Sequence, residues 1–185
     1  MSCPELEAIY LGDIVQEEAE VSWIMHGDWG PILSAFPKLE HWRVRGVANA
    51  SSFSCPNLRS LIVTSMTSRQ TCQSIAAADL PELEHLELWL GTDDYSGDAQ
   101  VEDLIPILSG KLFPKLRYLG LRNAQLANEV AEAVATSPIL DRIEVLDLSN
   151  GMLDDRGGNA LLASPAVTKL KRLNLHYNFF SPAVA

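Results

Sequence analysis

Residues able to bind or react recur at alternate positions within short apolar stretches. Glu87 and Trp89 alternate with leucines, Tyr118 and Arg122 do so in a later stretch, and Asp147 lies in a third. Aromatic and arginine side chains are the types that most often anchor protein interfaces. Glu87 and Asp147 occupy equivalent positions of two stretches, with Gly120 of a third stretch between them, and paired carboxylates can perform glycoside hydrolysis. The chemistry therefore depends on how the surrounding elements place these side chains.

A metal or cofactor site is not predicted. His41 and His85 occupy equivalent positions in two stretches with a third stretch between them, so parallel strands would place their backbones about 10 Å apart. A zinc ion needs ligand nitrogens about 2 Å away. The acidic loop 93–98 lacks the spacing and terminal glutamate of a calcium-binding EF-hand. The sequence also lacks a glycine-rich phosphate loop, a G-x-S-x-G motif and a C-x-x-C pair. We therefore expect no cofactor and no enzymatic activity.

The apolar stretches themselves form a repeat of the pattern L-x-x-L-x-L. Seven copies begin 19 to 33 residues apart, at Leu6, Leu39, Leu58, Leu83, Leu116, Ile143 and Leu170. Alternate side chains of a strand point to opposite faces, so one strand cannot bury its leucines alone, whereas a stack of strands can. The pattern predicts seven short parallel strands, stacked in the order of the chain, with residues 3–12 as the first strand.

Side chains that alternate with the leucines should line the other face of this sheet in three columns. The columns are Ala8, His41, Ser60, His85, Tyr118, Val145 and Arg172; Tyr10, Arg43, Ile62, Glu87, Gly120, Asp147 and Asn174; and Gly12, Arg45, Thr64, Trp89, Arg122, Ser149 and His176. We predict that a protein partner binds a patch on this face. The patch comprises Tyr10, His41, Arg43, Arg45, His85, Glu87, Trp89, Tyr118, Arg122 and Asp147.

The most regular repeat runs from Ile143 to Leu162, with Leu146, Leu148, Leu153 and Leu161 at its apolar positions. This pattern resembles the ribonuclease-inhibitor-like subclass of leucine-rich-repeat proteins. The segments 86–95 and 101–109 are also similar to a group of bacterial cytoplasmic leucine-rich-repeat proteins. The resemblance covers essentially all of residues 1–185 and implies one α/β solenoid domain. Its curved parallel sheet would form the concave face, with helices and irregular returns on the convex face. The resemblance supplies no catalytic residues.

The returns between strands are predicted to differ in length. A weak helix over residues 17–27 is indicated by the helical spacing of Val21, Ile24 and Met25. A short turn is predicted at residues 32–36. The small and polar residues 46–54 favour an extended return or a single helical turn. Helices are predicted within 67–79, 101–108, 128–136 and 154–162. We expect Pro106 to kink or shorten the second of these, and an aspartate to cap the last.

Composition limits the classes of partner. The formal net charge of −10 and the sequence pI near 4.8 disfavour nucleic acid and anionic membranes. No apolar run approaches the roughly 20 residues that span a bilayer, and no signal peptide is visible. The three cysteines are predicted to be reduced thiols, and Cys3 and Cys55 are predicted to be buried. These features predict a cytoplasmic protein.

The ends show no capping element of the kind that covers the last layer of a solenoid. Phe179 and Phe180 are expected to provide a partial cap. We therefore predict either a fragment of a longer protein or a homo-oligomer formed through uncapped ends. The function predicted from the sequence is a non-enzymatic interaction scaffold. The alternatives are a recognition or regulatory subunit of an enzyme complex and a divergent hydrolase that uses the concave carboxylates.

Overall fold

The computed structural model describes residues 5–15, 17–47, 49–92 and 97–184. Its centre is one open sheet of seven parallel strands, each hydrogen-bonded to the next strand in the chain. The strands are β1 (Ala8–Leu11), β2 (His41–Arg45), β3 (Ser60–Thr64), β4 (His85–Gly91), β5 (Tyr118–Ala124), β6 (Val145–Asp147) and β7 (Arg172–Asn174). The predicted α/β class and the seven parallel strands in chain order are confirmed.

Among the described residues, five α-helices lie in the connections between these strands. They are α1 (Gly30–Ala35), α2 (Arg69–Ala77), α3 (Val101–Leu108), α4 (Ala127–Ala135) and α5 (Asp155–Leu162). Short 3-10 helices span Val21–Trp23, Pro138–Asp141 and Val167–Lys169. No described helix has the length and apolarity needed to cross a membrane.

The repeated leucines form the core. Leu83, Leu86 and Leu88 of the fourth repeat are each 0% exposed, and the same positions are buried in the repeats on either side. Helix residues such as Ile75 and Val134 belong to the same cluster, so one continuous core lies between the sheet and the helices. Because buried aliphatic area is the main source of folding free energy, this layer explains why the leucine positions recur.

The strand register confirms the first two predicted columns. His85 is paired with Ser60 on one side and with Tyr118 on the other, and Glu87 lies between Ile62 and Gly120 in the same way. In the third column, the pairs Arg45–Thr64 and Trp89–Arg122 are also in register. The polar residues between the leucines therefore share one face of the sheet, which we call the open face and define by the 21 residues of the three columns.

Most of the predicted helices are present. Asp154 caps α5 by accepting a hydrogen bond from the backbone of Arg156 at 2.8 Å, so the predicted aspartate cap is confirmed. Val130 and Val134 of α4 point inward. Helix α3 continues past Pro106 to Leu108, and its first turn is held by a capping box between Gln100 and Asp103. A proline near the end of a short helix removes only one internal hydrogen bond.

Three local predictions are wrong. Residues 17–27 do not form an α-helix: only Val21–Trp23 is helical, and Met25 is 71% exposed. The backbone there pairs instead with residue 47, since Val47 N donates to Ile24 O and His26 N donates to Val47 O. The first strand covers only Ala8–Leu11, and the predicted turn at 32–36 belongs to helix α1.

The remaining expectations are met unevenly. Phe180 packs against the core near Gly158, whereas Phe179 is 68% exposed, so only one of the two phenylalanines covers the last layer. Cys55 and Cys72 are buried free thiols, and burial raises their pKa values to about 11 and about 12. Cys3 and most of the acidic loop, residues 93–96, lie outside the described residues.

Candidate functional site

The centre of the open face holds six of the ten predicted site residues in one bonded group. We call this group the central cluster, and it comprises His85, Glu87, Trp89, Tyr118, Arg122 and Asp147. Strands β4, β5 and β6 are adjacent, so residues that are far apart in the sequence become neighbours across the sheet. The alternation of residues correctly predicted that these side chains share one face of the sheet, but it did not predict the bonds between them.

Glu87 accepts hydrogen bonds from three side chains. Trp89 Nε1 and Arg122 Nη1 both donate to its Oε1 at 2.9 Å, and the Tyr118 hydroxyl donates to its Oε2 at 3.1 Å. The residue is 9% exposed, so its carboxylate would be costly to bury without such donors. Three donors from two strands therefore fix the carboxylate in one position.

Asp147 is held in a similar way on β6, two strands away from Glu87. It accepts hydrogen bonds from Asn174 Nδ2 at 2.9 Å, from the Ser149 backbone at 2.9 Å and from the Tyr118 hydroxyl at 3.0 Å. Arg122 Nε lies 3.7 Å from its Oδ1. Burial opposes ionisation of this carboxyl group, but the hydrogen bonds outweigh burial and lower its pKa. Asp147 is therefore ionised at neutral pH.

The ring of Tyr118 crosses between the two carboxylates because Gly120 leaves room for it. A Cβ atom on Gly120 would lie 3.0 Å from Tyr118 Cε1 and 3.1 Å from Glu87 Cγ. Burial, followed by the charges of Glu87 and Asp147, raises the pKa of Tyr118. The phenol therefore keeps its proton and has one hydrogen to donate to two acceptors.

The rings of His85 and Tyr118 are stacked, with centroids 3.9 Å apart and planes 6° from parallel. Burial lowers the pKa of His85, although the charges of Glu87 and Asp147 act in the opposite direction. Its Nε2 atom is buried without a hydrogen-bond partner among the described residues and lies 3.9 Å from Glu87 Oε2. His85 thus contributes a neutral aromatic surface at neutral pH.

Arg122 completes the cluster on the β5 strand. Its guanidinium carbon lies 5.1 Å from the centre of the Trp89 ring, and its Nε donates to Ser149 Oγ at 3.0 Å. A guanidinium over an indole face is a favourable cation–π contact. With Glu87 also bonded to it, Arg122 has little freedom left. The cluster is accordingly preorganised, which lowers the entropy cost of binding a partner.

The other four predicted residues form a second group at the β1–β2 end of the sheet. His41, Arg43 and Arg45 are the three outward residues of β2, and we call them the basic strip. The Arg43 guanidinium lies 4.7 Å from the centre of the Tyr10 ring. Arg45 Nη1 donates to the backbone oxygen of Ile14 at 2.7 Å. The strip is separated from the central cluster by strand β3.

Two residues outside the predicted patch belong to the site. Ser149 and Asn174 are hydrogen-bonded to members of the central cluster. The alternation of residues already placed both in the outward columns, beside Arg122 and Asp147. Small polar side chains are not typical interface anchors, so residue type gave no reason to select them.

The geometry of the site bears on two kinds of chemistry considered from the sequence, metal binding and hydrolysis. Within the described part of the chain, no group of three or more His, Cys, Asp or Glu residues is arranged to hold a metal ion. Glu87 and Asp147, the candidate hydrolytic pair, are both bonded to the Tyr118 hydroxyl. The Tyr118 hydroxyl therefore bridges the two carboxylates.

A cavity of about 420 Å³ lies where strands β2 to β5 end. Arg45, Thr64, Trp89 and Asn123 are among the residues that line it, together with Glu20 at its exposed side. The Thr64 hydroxyl is buried and has no hydrogen-bond partner in the described structure. The cavity thus connects the basic strip to the edge of the central cluster.

Comparison with solved structures finds a close structural neighbour. A crystal structure of a Bacteroides fragilis protein, solved as a structural-genomics target, matches this chain with a TM-score of 0.91 and 36% sequence identity. The match covers 98% of this chain and 53% of that chain, so this chain spans about half the length of the B. fragilis protein. The fold is thus shared with a bacterial protein. Neither the family models nor the curated proteins contain a match.

Proposed function

We propose that this chain is a leucine-rich-repeat solenoid of the ribonuclease-inhibitor-like subclass, whose open face binds a protein partner without catalysing a reaction. The observation that carries the proposal is the central cluster. It places a tryptophan, a tyrosine and an arginine side by side on the sheet, each fixed by its neighbours. These three residue types dominate the energetics of protein interfaces.

The assignment to the leucine-rich repeats is supported by recurring backbone geometry. The eighth residue of the pattern has a positive φ in four repeats: Gly46 (120°), Asn123 (51°), Asn150 (61°) and Tyr177 (56°). Non-glycine residues adopt this left-handed conformation infrequently. Its recurrence at one repeat position, together with buried apolar residues at the first, fourth and sixth positions of the second to sixth repeats, is what a stack of similar units requires.

The hydrolase alternative gains no support from the central cluster, because Tyr118 joins the two carboxylates. A role as a regulatory subunit remains compatible with the proposal, since it also needs a binding face. The predicted cytoplasmic location and oligomerisation through the chain ends stay predictions. Solenoids bind most often through the face formed by their parallel strands, so the open face is the surface to test first.

The proposal is tested by isolating a partner from the host organism by affinity purification and measuring its affinity for variants. Trp89→Ala and Arg122→Ala are expected to weaken binding at least tenfold, corresponding to about 1.4 kcal/mol or more. His41→Ala, at an exposed position of the same face, tests the face without disturbing the cluster. Circular dichroism and thermal unfolding show whether each variant is folded.

Ile105→Ala is the matched control on the helix side. Ile105 lies on α3 and is 50% exposed, so removing its side chain should change affinity less than twofold if the partner binds the open face. Unchanged affinity in folded Trp89, Arg122 and His41 variants, together with a loss in the Ile105 variant, would contradict the proposal.

A further inference from the structure

The charge of the open face is opposite to that of the chain. Its three columns contain four arginines and only two carboxylates, so the face carries a formal charge of +2, whereas the whole sequence carries −10. The four arginines are Arg43, Arg45, Arg122 and Arg172. Acidic side chains therefore occupy the rest of the surface and are largely excluded from the open face.

Bonding within the face groups these charges without changing their sum. Both carboxylates, Glu87 and Asp147, are largely buried and engaged by Arg122 and Tyr118, so the central cluster has a formal charge of −1 and the other three arginines carry +3. Arg43, Arg45 and Arg172 form no ion pair with any carboxylate that the structure describes. The charges available to a partner are consequently positive.

The basic strip concentrates these charges on one strand. Alternate residues of a strand are about 6.6 Å apart, so the Cα atoms of Arg43 and Arg45 have the spacing of alternate residues in an extended peptide. Both are held: Arg43 by the Tyr10 ring, and Arg45 by the backbone oxygen of Ile14. Guanidinium groups form strong, directional hydrogen bonds with carboxylates.

The cavity beside Arg45 adds a place for an acidic side chain to enter. It is lined by Thr64, whose buried hydroxyl lacks a partner, and by Asn123, a half-buried amide. Hydroxyl and amide groups both donate hydrogen bonds to carboxylate oxygens. Glu20 is a carboxylate that also lines the cavity, and its charge opposes an incoming acid.

We propose that the open face binds an acidic, extended segment of its protein partner, with alternate carboxylates paired to Arg43 and Arg45. This inference rests on the proposed function and adds the chemistry of the partner. A protein segment fits better than a nucleic acid, because a long polyanion would be repelled by the −10 chain. A short segment carries few charges, and repulsion from charges beyond about 8 Å is screened at physiological salt.

The probe for this proposal is a capped peptide of alternating glutamate and serine, six residues long, titrated at low ionic strength into the ¹⁵N-labelled full chain. Peptides in which glutamine or lysine replaces glutamate serve as charge controls, and a six-nucleotide oligothymidylate tests the nucleic-acid alternative. The expected result is weak, salt-sensitive binding of the acidic peptide alone, near ~1 mM, with amide shifts centred on β2 and the cavity.

Variants locate the charges responsible. Arg43→Gln should weaken binding of the acidic peptide about fivefold, and Arg43→Glu should abolish it. Arg117→Gln is the matched control, since Arg117 is an exposed arginine outside the three columns, and should leave binding within twofold of the original. Glu20→Gln should strengthen binding about twofold, because it removes the opposing charge beside Arg45.

Equal binding of the glutamate and glutamine peptides would overturn the proposal. Tighter binding of the oligonucleotide, or an equal effect of Arg43→Gln and Arg117→Gln, would overturn it as well. None of these results would contradict a partner affinity that depends on Trp89 and Arg122. Failure of this inference is therefore distinct from failure of the proposed function.

Discussion

Tyr118 connects both carboxylates of the central cluster through one hydroxyl group. Glu87 and Asp147 are charged and largely buried, and each relies on this hydroxyl as one of its donors. Removing a donor from a buried charged acceptor leaves part of its desolvation cost uncompensated. The phenol is therefore a structural as well as a surface-forming group.

Tyr118→Phe is expected to lower the free energy of unfolding by about 2 kcal/mol, because the ring packing stays while the shared donor is lost. Urea denaturation followed by circular dichroism measures the change. Tyr177→Phe is the control, since Tyr177 is 75% exposed and its hydroxyl has no such role. A loss of equal size in both variants would show that the shared hydrogen bonds do not stabilise the cluster.

His85 makes stability depend on pH. Burial lowers its pKa below the ordinary value of 6.5, against the opposing charges of Glu87 and Asp147, so the unfolded chain binds more protons in the interval between the two values. Its contribution to stability is complete above about pH 6.5 and decreases as the pH falls through that interval.

His85→Gln should therefore reduce the loss of stability between about pH 7 and pH 5. Denaturation at a series of pH values measures this slope. His41→Gln, at an exposed site on β2, should retain the original slope. An unchanged slope in the His85 variant would mean that its protonation is not coupled to folding. Asp147, whose pKa is lowered, stabilises the fold separately. Its contribution to stability is complete above about pH 4 and is lost only as the pH falls below that value.

At the scale of the elements, side-chain amides hold successive loops together. Asn178 Oδ1 accepts hydrogen bonds from the backbones of Gly151 and Leu153, both at 3.2 Å. Its Nδ2 donates to the backbone oxygens of Leu148 and Leu175, both at 2.9 Å. One side chain thus satisfies backbone groups after both β6 and β7.

Asn178→Ala should cost about 3 kcal/mol, because four backbone groups lose their partner. The free energy of unfolding measures the cost, and hydrogen exchange should show faster opening of the amides of Gly151 and Leu153. Asn57→Ala is the control: its exposed amide makes one hydrogen bond, to Pro37 O, and its loss should cost less than about 1 kcal/mol. Equal costs would contradict a linking role for Asn178.

The elements also show what the sequence predicts well. Strand positions and the outward columns follow from an alternation that each strand carries in its own residues, so β2 to β7 and the register of Glu87 and Asp147 were predictable. The segment 17–27 was not, because a weak helical periodicity competes with backbone pairing to residue 47, which is distant in sequence. The path of the Tyr118 ring depends on the missing side chain of Gly120 and on rotamer choice, neither of which periodicity encodes.

At the scale of the whole molecule, the sheet separates two surfaces with different properties. One is packed under helices to form the core, and the other presents the central cluster and the basic strip. A B. fragilis protein about twice as long has the same architecture over this region. The central claim is that the open face, rather than the helix side, contacts a protein partner.

Site-specific photo-crosslinking from both surfaces tests this claim most directly. A photoreactive amino acid is placed at Ala8, Ile62 or Val145 on the open face, and at Ile105 or Leu162 on the helix side, where both side chains are exposed. After irradiation in cells of the host organism, the account predicts one common protein adduct from the open-face positions and none from the helix-side positions. An adduct formed only from Ile105 or Leu162 would contradict it.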